Sequence, residues 1–381
     1  MANVLNDLAA DLYKAADTVG RELVGAVPAS LINADGSERV ALNDTVRSHF
    51  TRQASAVNVS PSMTVPEGTD QTVDNKTLSI TKARAVQIPW TGEDMRSVNN
   101  GSGFETIYGD QITQAMRTLT NEIEVDLNTE AYQNASRAVG EAGTTPFASN
   151  FDLVAEARQI LVDNGCPTDG QISMVLNTMA GTNLRNLAQL QRANEAGNDT
   201  MLRQGILLDL QGIGLRESAG VQSHTAGTGD SFQVNEASGL DIGETEIPVD
   251  TGTGTILAGD VVTFAEHSDK YVVVEALDGG SFKIGSPGLR QSVADDEAVT
   301  VSSAYTANTV FHRNALELAM RAPAVPEGGD GADDAMTVQD PRSGLVYEIR
   351  TYRGYRKAMF EVAATWGYKA WKPDFIANVK G

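Results

Sequence analysis

The sequence predicts an α+β protein whose mixed body is interrupted by a small all-β domain. Three observations predict it. Helix and strand patterns alternate on both sides of residues 224–306; within that stretch the texture changes to short alternating strands between Gly- and Asp-rich turns; and an unusually long apolar stripe at helical spacing runs from about Glu105 to Arg137. With 381 residues there is material for two or three domains. A composition of 41% hydrophobic and 21% charged residues suits packed cores.

Residues 1–49 form an N-terminal arm. Val4, Leu5, Leu8, Leu12, Val19 and Leu23 fall near one helical face, and Gly25 and Pro28 follow as a stop. An amphipathic terminal helix of this kind must dock on its own body or on a neighbour. The opening Met1-Ala2-Asn3-Val4 lacks a basic region before an apolar run, so no signal peptide is expected. No window reaches the ~18 apolar residues of a membrane span.

Residues 50–99 read as an extended loop and strand. Phe50-Thr51-Arg52-Gln53-Ala54 leads into turn formers at Ser60-Pro61-Ser62 and Pro66-Glu67-Gly68. From Thr77 to Trp90, Leu78, Ile80, Lys82, Arg84, Val86, Ile88 and Trp90 alternate with small polar residues, which predicts one long strand. It has little apolar matter of its own to bury, so it should lie along a partner.

Residues 100–149 carry the spine helix. Ser102-Gly103-Phe104-Glu105 has the form of a capping box, and Ile112, Met116, Leu119, Ile123, Leu127 and Ala131 follow at spacings of three and four. A helix from Glu105 to Arg137 would be about 50 Å long. Glu122, Glu124, Asp126 and Glu130 lie mainly off its stripe. In residues 150–223, Phe151–Gly165 reads as helix, Ile172–Leu176 as buried strand, Asn177–Gln191 as helix and Ile206–Leu215 as strand and turn.

Residues 224–306 read as a small barrel, with strands at Glu246–Val249, Val261–Phe264, Tyr271–Val274 and Ala298–Val301 and a turn at Asp278-Gly279-Gly280. Because the mixed texture resumes at Asn308, the barrel is inserted, not appended. Residues 307–335 hold a short helix, Asn314–Arg321, ending at Pro323, and an acidic loop, Glu327–Asp334. Residues 336–381 hold strands around Leu345, Tyr347 and Ile349 and at Met359–Ala364, with a turn at Trp366-Gly367-Tyr368.

The net charge is −21, which argues against a protein that grips DNA, since phosphate binding needs a basic face. Acidity of this size serves solubility; a wall that contains DNA without gripping it would share it. The charge is unevenly spread: residues 224–306 hold fourteen acidic and three basic residues, residues 341–381 eight basic and three acidic. Two solvated faces would account for this, and so would patches that meet between repeated subunits.

No catalytic set emerges. His49, His224, His267 and His312 lack zinc-helix spacing, and the single Cys166 allows neither a Cys site nor an intramolecular disulfide, as suits a reducing cytoplasm. In Asp163-Asn164-Gly165-Cys166-Pro167 the Cys reads as structural. No phosphate loop, dinucleotide fingerprint or nucleophile elbow occurs. Asp250-Thr251-Gly252 has the form of an aspartic protease motif, but that chemistry needs two carboxylates sharing a proton, and one copy inside a Gly/Thr-rich stretch reads as a turn. No catalytic, cofactor-binding or metal-ligating residue is therefore expected, and no cofactor.

The succession of parts resembles the major capsid (coat) proteins of tailed double-stranded DNA bacteriophages, in the short-tailed branch with an inserted β-barrel. The residues that carry the likeness are Ile88-Pro89-Trp90-Thr91-Gly92-Glu93 at the end of the extended loop, Asn308–Leu316 at the return from the insert, and Trp366-Gly367-Tyr368-Lys369 through Pro373-Asp374-Phe375 near the end. The resemblance implies the Hong Kong ninety-seven type of fold. In it, residues 150–223 and 307–335 form an axial domain, residues 336–381 complete a peripheral domain, and the extended loop lies over a neighbouring subunit. It also implies self-assembly into pentamers and hexamers of an icosahedral head, procapsid assembly in the host bacterial cytoplasm with a scaffolding protein and a portal, and enclosure of double-stranded DNA without sequence-specific binding or a membrane. Two alternatives remain beside it. One is an encapsulin-type nanocompartment shell and the other an aspartic-type hydrolase using Asp250, while a secreted β-domain protein is disfavoured by the lack of a signal.

Overall fold

The computed structural model describes residues 5–22, 25–51, 56, 58–65, 73–99, 104–191, 209–340 and 342–381. The chain opens on helix α1 (Leu5–Glu22), a single turn α2 (Ala26–Ala29) and strand β1 (Leu31–Val40). Strands β2 (Thr45–Thr51), β3 (Val73–Ser79) and β4 (Lys82–Thr91) lead to α3 (Gly92–Asn99) and the 30-residue α4 (Phe104–Gln133), about 45 Å long. Then follow β5 (Arg137–Val139), α5 (Asp152–Asp163), β6 (Ile172–Leu176), α6 (Thr178–Asn186), α7 (Ala188–Gln191), β7 (Gly214–Glu217) and β8 (Ser223–His224). The insert contributes β9 (Phe232–Val234), β10 (Glu246–Asp250), β11 (Val261–Phe264), β12 (Lys270–Asp278), β13 (Ser281–Ile284) and β14 (Ala298–Val301). The chain closes with β15 (Tyr305–His312), β16 (Leu316–Pro323), β17 (Ala332–Gln339), β18 (Val346–Gly354), β19 (Lys357–Ala370) and β20 (Ile376–Lys380). Val4, the Ser102-Gly103 half of the expected capping box, Gln53-Ala54, Pro66-Glu67-Gly68 and Ile206 lie outside the described residues.

The insert closes on itself. Its strands pair antiparallel in the ring β11–β14–β9–β10–β13–β12 and back to β11. Closure leaves no free strand edge, which a domain of such short strands needs. Phe232, Val234, Ile247, Val249, Phe264, Phe282 and Ile284 fill its interior. Through Lys270 and Tyr271, β12 also pairs with β5, so the barrel is spliced into the sheet of the body.

The spine helix is covered on several sides. Ile112, Met116, Leu119, Ile123, Leu127 and Ala131 are buried in the main core with Leu318, Tyr347, Val362 and Trp366. Helix α1 packs on it through Ala15, Ala16 and Val19, and Glu22 pairs with Arg117 at 2.6 Å. Glu124 and Asp126, expected off the stripe, are buried as well. Their carboxylates have partners: Asp126 accepts from Trp366 Nε1 at 2.9 Å and pairs with Lys82 at 2.8 Å.

Several expected elements differ. The helix expected at Asn314–Arg321 is a short 3-10 turn, Arg313–Ala315, followed by β16, which pairs parallel with β1 and antiparallel with β19. Leu316 through Ala322 are all buried, so the strand has no polar face to reveal period two, and tertiary pairing overrides helical residue types. Its charges are matched inside: Glu317 accepts from Asn33 Nδ2 at 3.0 Å and from Trp371 Nε1, and Arg321 pairs with Glu38 at 2.6 Å. Trp366-Gly367-Tyr368 is not a turn; β19 runs straight through it, and the turn falls at Tyr355-Arg356. The single strand expected over 77–90 is divided at Ile80-Thr81, where Ile80 N–H donates to Asp44 O and Thr81 N–H to Trp366 O. The helix expected over 177–191 breaks at Leu187. The spine stops at Gln133, because residues 137–139 are drawn into a strand beside β20.

The sheets also cut across the expected boundaries at 307–335 and 336–381. Strands β16 and β17 join β1, β4, β18 and β19 in a six-stranded sheet, whereas β20 lies between β5 and β15 in the sheet of β6 and β7.

Burial of β20 has a consequence for pH. Lys380 is 2% exposed, donates to Ser302 Oγ at 3.0 Å, and is pushed down to about 8 by desolvation, with Lys270 adding and Glu141 opposing. Below pH 8 the ammonium is held in both folded and unfolded chains, and the fold carries its desolvation cost. Between about pH 8 and 10.5 the unfolded chain binds the extra proton, so this group's contribution to stability rises with pH. Lys380→Met is expected to raise the urea midpoint at pH 7, with the advantage shrinking as pH approaches 10; a constant difference between the two chains across that range would contradict it.

Candidate assembly surfaces

The residues weighed for chemistry stand apart. His49 lies on β2 opposite Asn75. His267 is edge-on to Phe264, at 5.6 Å between ring centroids. His312 accepts the Asn314 N–H on Nδ1 at 3.2 Å, so its proton sits on Nε2, which donates to Asp169 at 3.1 Å. His224 is buried against Asp260, with Nε2 at 2.7 Å from the carboxylate. Asp250 is exposed at the end of β10, and the chain turns there through Thr251 at φ +55°, with Gly252 N–H donating to Asp250 O at 2.6 Å. Among the described residues no three His, Cys, Asp or Glu side chains are arranged to hold a metal ion.

Cys166 is buried after α5, and burial pushes its thiol up to about 11, with Asp169 adding and Lys372 opposing. The nucleophile is the thiolate, so iodoacetamide at pH 7.5 is expected to label the native chain roughly a hundredfold more slowly than the urea-unfolded chain. Equal rates would show the thiol to be open.

What the fold does present is surface for contact. Strands β2 and β3 form a separate two-stranded hairpin in register from Thr45↔Ser79 to Thr51↔Val73. Its base rests on a small cluster of Val40, Val46, Leu78, Ile80 and Ala319. A lone hairpin is marginal in water. In the segment that joins its strands, Val59, Met63 and Val65 are more than nine-tenths exposed. An exposed aromatic, Tyr355 at 87%, stands in the β18–β19 turn with the Arg356 guanidinium 5.5 Å from its ring. Exposed Tyr beside Arg is the composition of interface anchors.

The barrel adds an acidic face, where Glu236, Asp241, Glu244 and Glu246 line an open cleft beside exposed Ile242. Basic side chains gather elsewhere: Lys76 and Lys369 stand 5.3 and 5.4 Å from the Trp371 ring, and Lys372 5.0 Å from Phe375.

Motif reading missed the buried polar junctions that hold these surfaces in place. Glu124 accepts the N–H groups of Ala26 at 2.6 Å and Val27 at 2.9 Å and the Ser218 hydroxyl at 2.7 Å, fastening the arm to the spine. Arg137 pairs with Asp269 at 2.9 Å, fastening barrel to body. Their partners are 94 to 132 residues away in sequence, so no local pattern could have signalled them.

The family model for P22 coat protein, gene protein 5, matches residues 62–254, just over half of the chain. The chain belongs to the P22 coat protein family. It is therefore a structural coat protein that forms the phage head shell, and its place is the virion capsid. The coat protein's α+β fold with its barrel is of the tailed-phage capsid type that the sequence led us to expect. Among solved structures, it is similar to the capsid of Cyanophage P-SCSP1u (11% identity, TM-score 0.48, covering 92% of this chain and 86% of that chain) and to the mature capsid of bacteriophage PhiM1 (12%, 0.47, 93% and 85%). A virus-like particle from Pyrococcus furiosus is also similar (9%, 0.44, 97% and 98%). No curated protein matches the coat protein.

Proposed function

We propose that this coat protein assembles as pentamers and hexamers into an icosahedral head that encloses double-stranded DNA, without enzymatic activity and without sequence-specific contact to the DNA. The observation that carries this reading beyond family membership is the β2–β3 hairpin, whose linking segment holds Val59, Met63 and Val65 more than nine-tenths exposed among the described residues. Laid over a neighbouring subunit, that segment would bury apolar surface at about 25 cal/mol per Å². A contact in which one patch meets a different patch on the next copy closes into rings, and weak contacts repeated around a shell sum.

In this reading, residues 50–90 are the extended loop, α4 is the spine, and the sheet of β6, β15 and β20 belongs to the part that gathers at the five- and six-fold centres. A scaffolding protein and a portal guide procapsid assembly in the host cytoplasm. The test is to express the chain with and without a co-expressed scaffolding protein and image the product by electron microscopy. Shells of uniform size, or pentamers and hexamers, support the reading; a strictly monomeric product under both conditions sinks it. Asp250→Asn should assemble as the parent does, which separates the coat reading from a hydrolase.

A further inference from the structure

We propose that His224 and Asp260 form a latch that fuses the inserted barrel to the end of the spine helix, so that the two turn as one body. The chain enters the insert at β8 and leaves it at β15, and these strands pair at His224↔Tyr305. Two crossings at one point make a hinge: the barrel would be free to swing about it unless tied elsewhere.

His224 supplies one tie. Its imidazole lies between Tyr132, in the last turn of the spine, and Tyr305, at centroid distances of 5.6 and 5.4 Å. Its Nε2 meets Asp260 at 2.7 Å. Asp260 is fully buried and also accepts the N–H groups of Leu257 at 2.7 Å and Gly227 at 3.0 Å, so one carboxylate ties the entering segment to the β10–β11 loop at the root of the barrel. Next to it the Tyr305 hydroxyl donates to Gly259 O at 2.7 Å. Gly259 has φ +93°, and a Cβ there would stand 2.7 Å from the Tyr132 ring and 3.1 Å from His224, so only glycine lets the barrel close on the spine. Val261 and Val272 then pack in the same core as Tyr132, Ala135 and Ala138.

A second tie lies at Arg137–Asp269 and the β5–β12 pairing. A hinge with ties away from its axis cannot rotate. The barrel's apolar interior is a cluster distinct from the main core, and His224 stands at the boundary, against Tyr132 of the spine on one side and Asp260 of the insert on the other.

The joint is read from this geometry alone, while its effect in a shell rests on the assembly reading above; the experiment therefore has two arms. In the unassembled chain, hydrogen exchange is measured for His224→Ala, His224→Gln and Tyr305→Phe. In His224→Ala the root amides of Gly227, Leu257 and Gly259 are expected to exchange about tenfold or more faster than in the parent, while β9, β10 and β13 keep parental protection. His224→Gln, which keeps a donor, should recover part of the protection at the root, and Tyr305→Phe should lose it around Gly259. Root amides at parental rates in both His224→Ala and Tyr305→Phe overturn the latch, and so does loss of protection throughout the barrel in His224→Gln, which would make the pair part of the barrel's own core. In assembled shells, barrel density in His224→Ala is expected to weaken relative to the shell floor; equal sharpness overturns the proposal. Failure of the parent to assemble would count against the assembly reading only, since the exchange arm stands without it.

Discussion

Glu124→Ala is expected to lower the stability of the coat protein by on the order of 3 kcal/mol, and to free the N-terminal arm before the rest of the chain unfolds. Glu124 is 8% exposed, and its two oxygens take up the first N–H groups of α2 together with the Ser218 hydroxyl. A helical turn leaves its leading N–H groups without partners of its own, and here a carboxylate on another helix accepts them. Removing it leaves the buried donors without a protein partner. The carboxylate lies close against Gly25, where a Cβ would come within 1.7 Å of Glu124 Oε1. Glu124 also lines an open cavity of about 360 Å³ with Gly25, Thr120 and Ser218, so water takes up only part of the lost hydrogen bonding. Glu124→Gln retains one acceptor and turns an amide NH₂ toward a donor, so its loss should be roughly half as large. Urea unfolding gives the size, and limited proteolysis near residues 22–30 tests the order of events. A loss under about 1 kcal/mol for the alanine variant would show that the arm is held by α1 packing alone.

Gly367→Ala is expected to cost about 3 kcal/mol or more, because the added methyl has no room that a side chain can vacate. A Cβ at 367 would stand 2.2 Å from the Ser79 carbonyl oxygen and 3.0 Å from Ile80 Cα, both backbone atoms. The approach is held next door by Thr81 N–H donating to Trp366 O at 3.1 Å. Relief requires β19 to part from the root of the hairpin, which disturbs the small cluster of Leu78 and Ile80 and the hairpin's angle to the body. Assembly should therefore suffer along with melting temperature. Gly109→Ala is the control. It is in α4 with nothing within 4 Å of its Cβ, and there alanine should be neutral or stabilising by up to about 1 kcal/mol. Equal melting temperatures for Gly367→Ala and the parent would refute the close approach.

The two glycines show why part of this molecule was legible and part was not. Wherever an element buries one face and shows the other to water, the sequence betrays it: Ile112 to Ala131 mark the spine, and short alternating strands between Gly and Asp turns mark the barrel. Where both faces are buried, the period disappears, and β16 looked like a helix because Leu, Glu, Ala and Met favour one. Gly367 suggested a turn, since a turn is the commonest use of glycine near aromatics; its reason is a strand crossing whose partner lies almost 290 residues earlier. The contact surfaces fared likewise. Charge segregation between insert and C-terminal region is visible as composition, but which carboxylates point outward is not.

The sequence alone determined that the chain is α+β, that a barrel interrupts it, that one helix is far longer than a small domain needs, and that no recognised catalytic motif accompanies them, because each of these follows from local periodicity or from spacing. Tertiary structure alone decided that the last strand, Ile376–Lys380, lies between β5 and β15, that Glu124, Arg137 and Asp260 are buried and partnered, and that the barrel closes and is tied to the spine. Those outcomes depend on groups brought together from distant parts of the chain, and a buried charge is tolerated only where its partner happens to arrive.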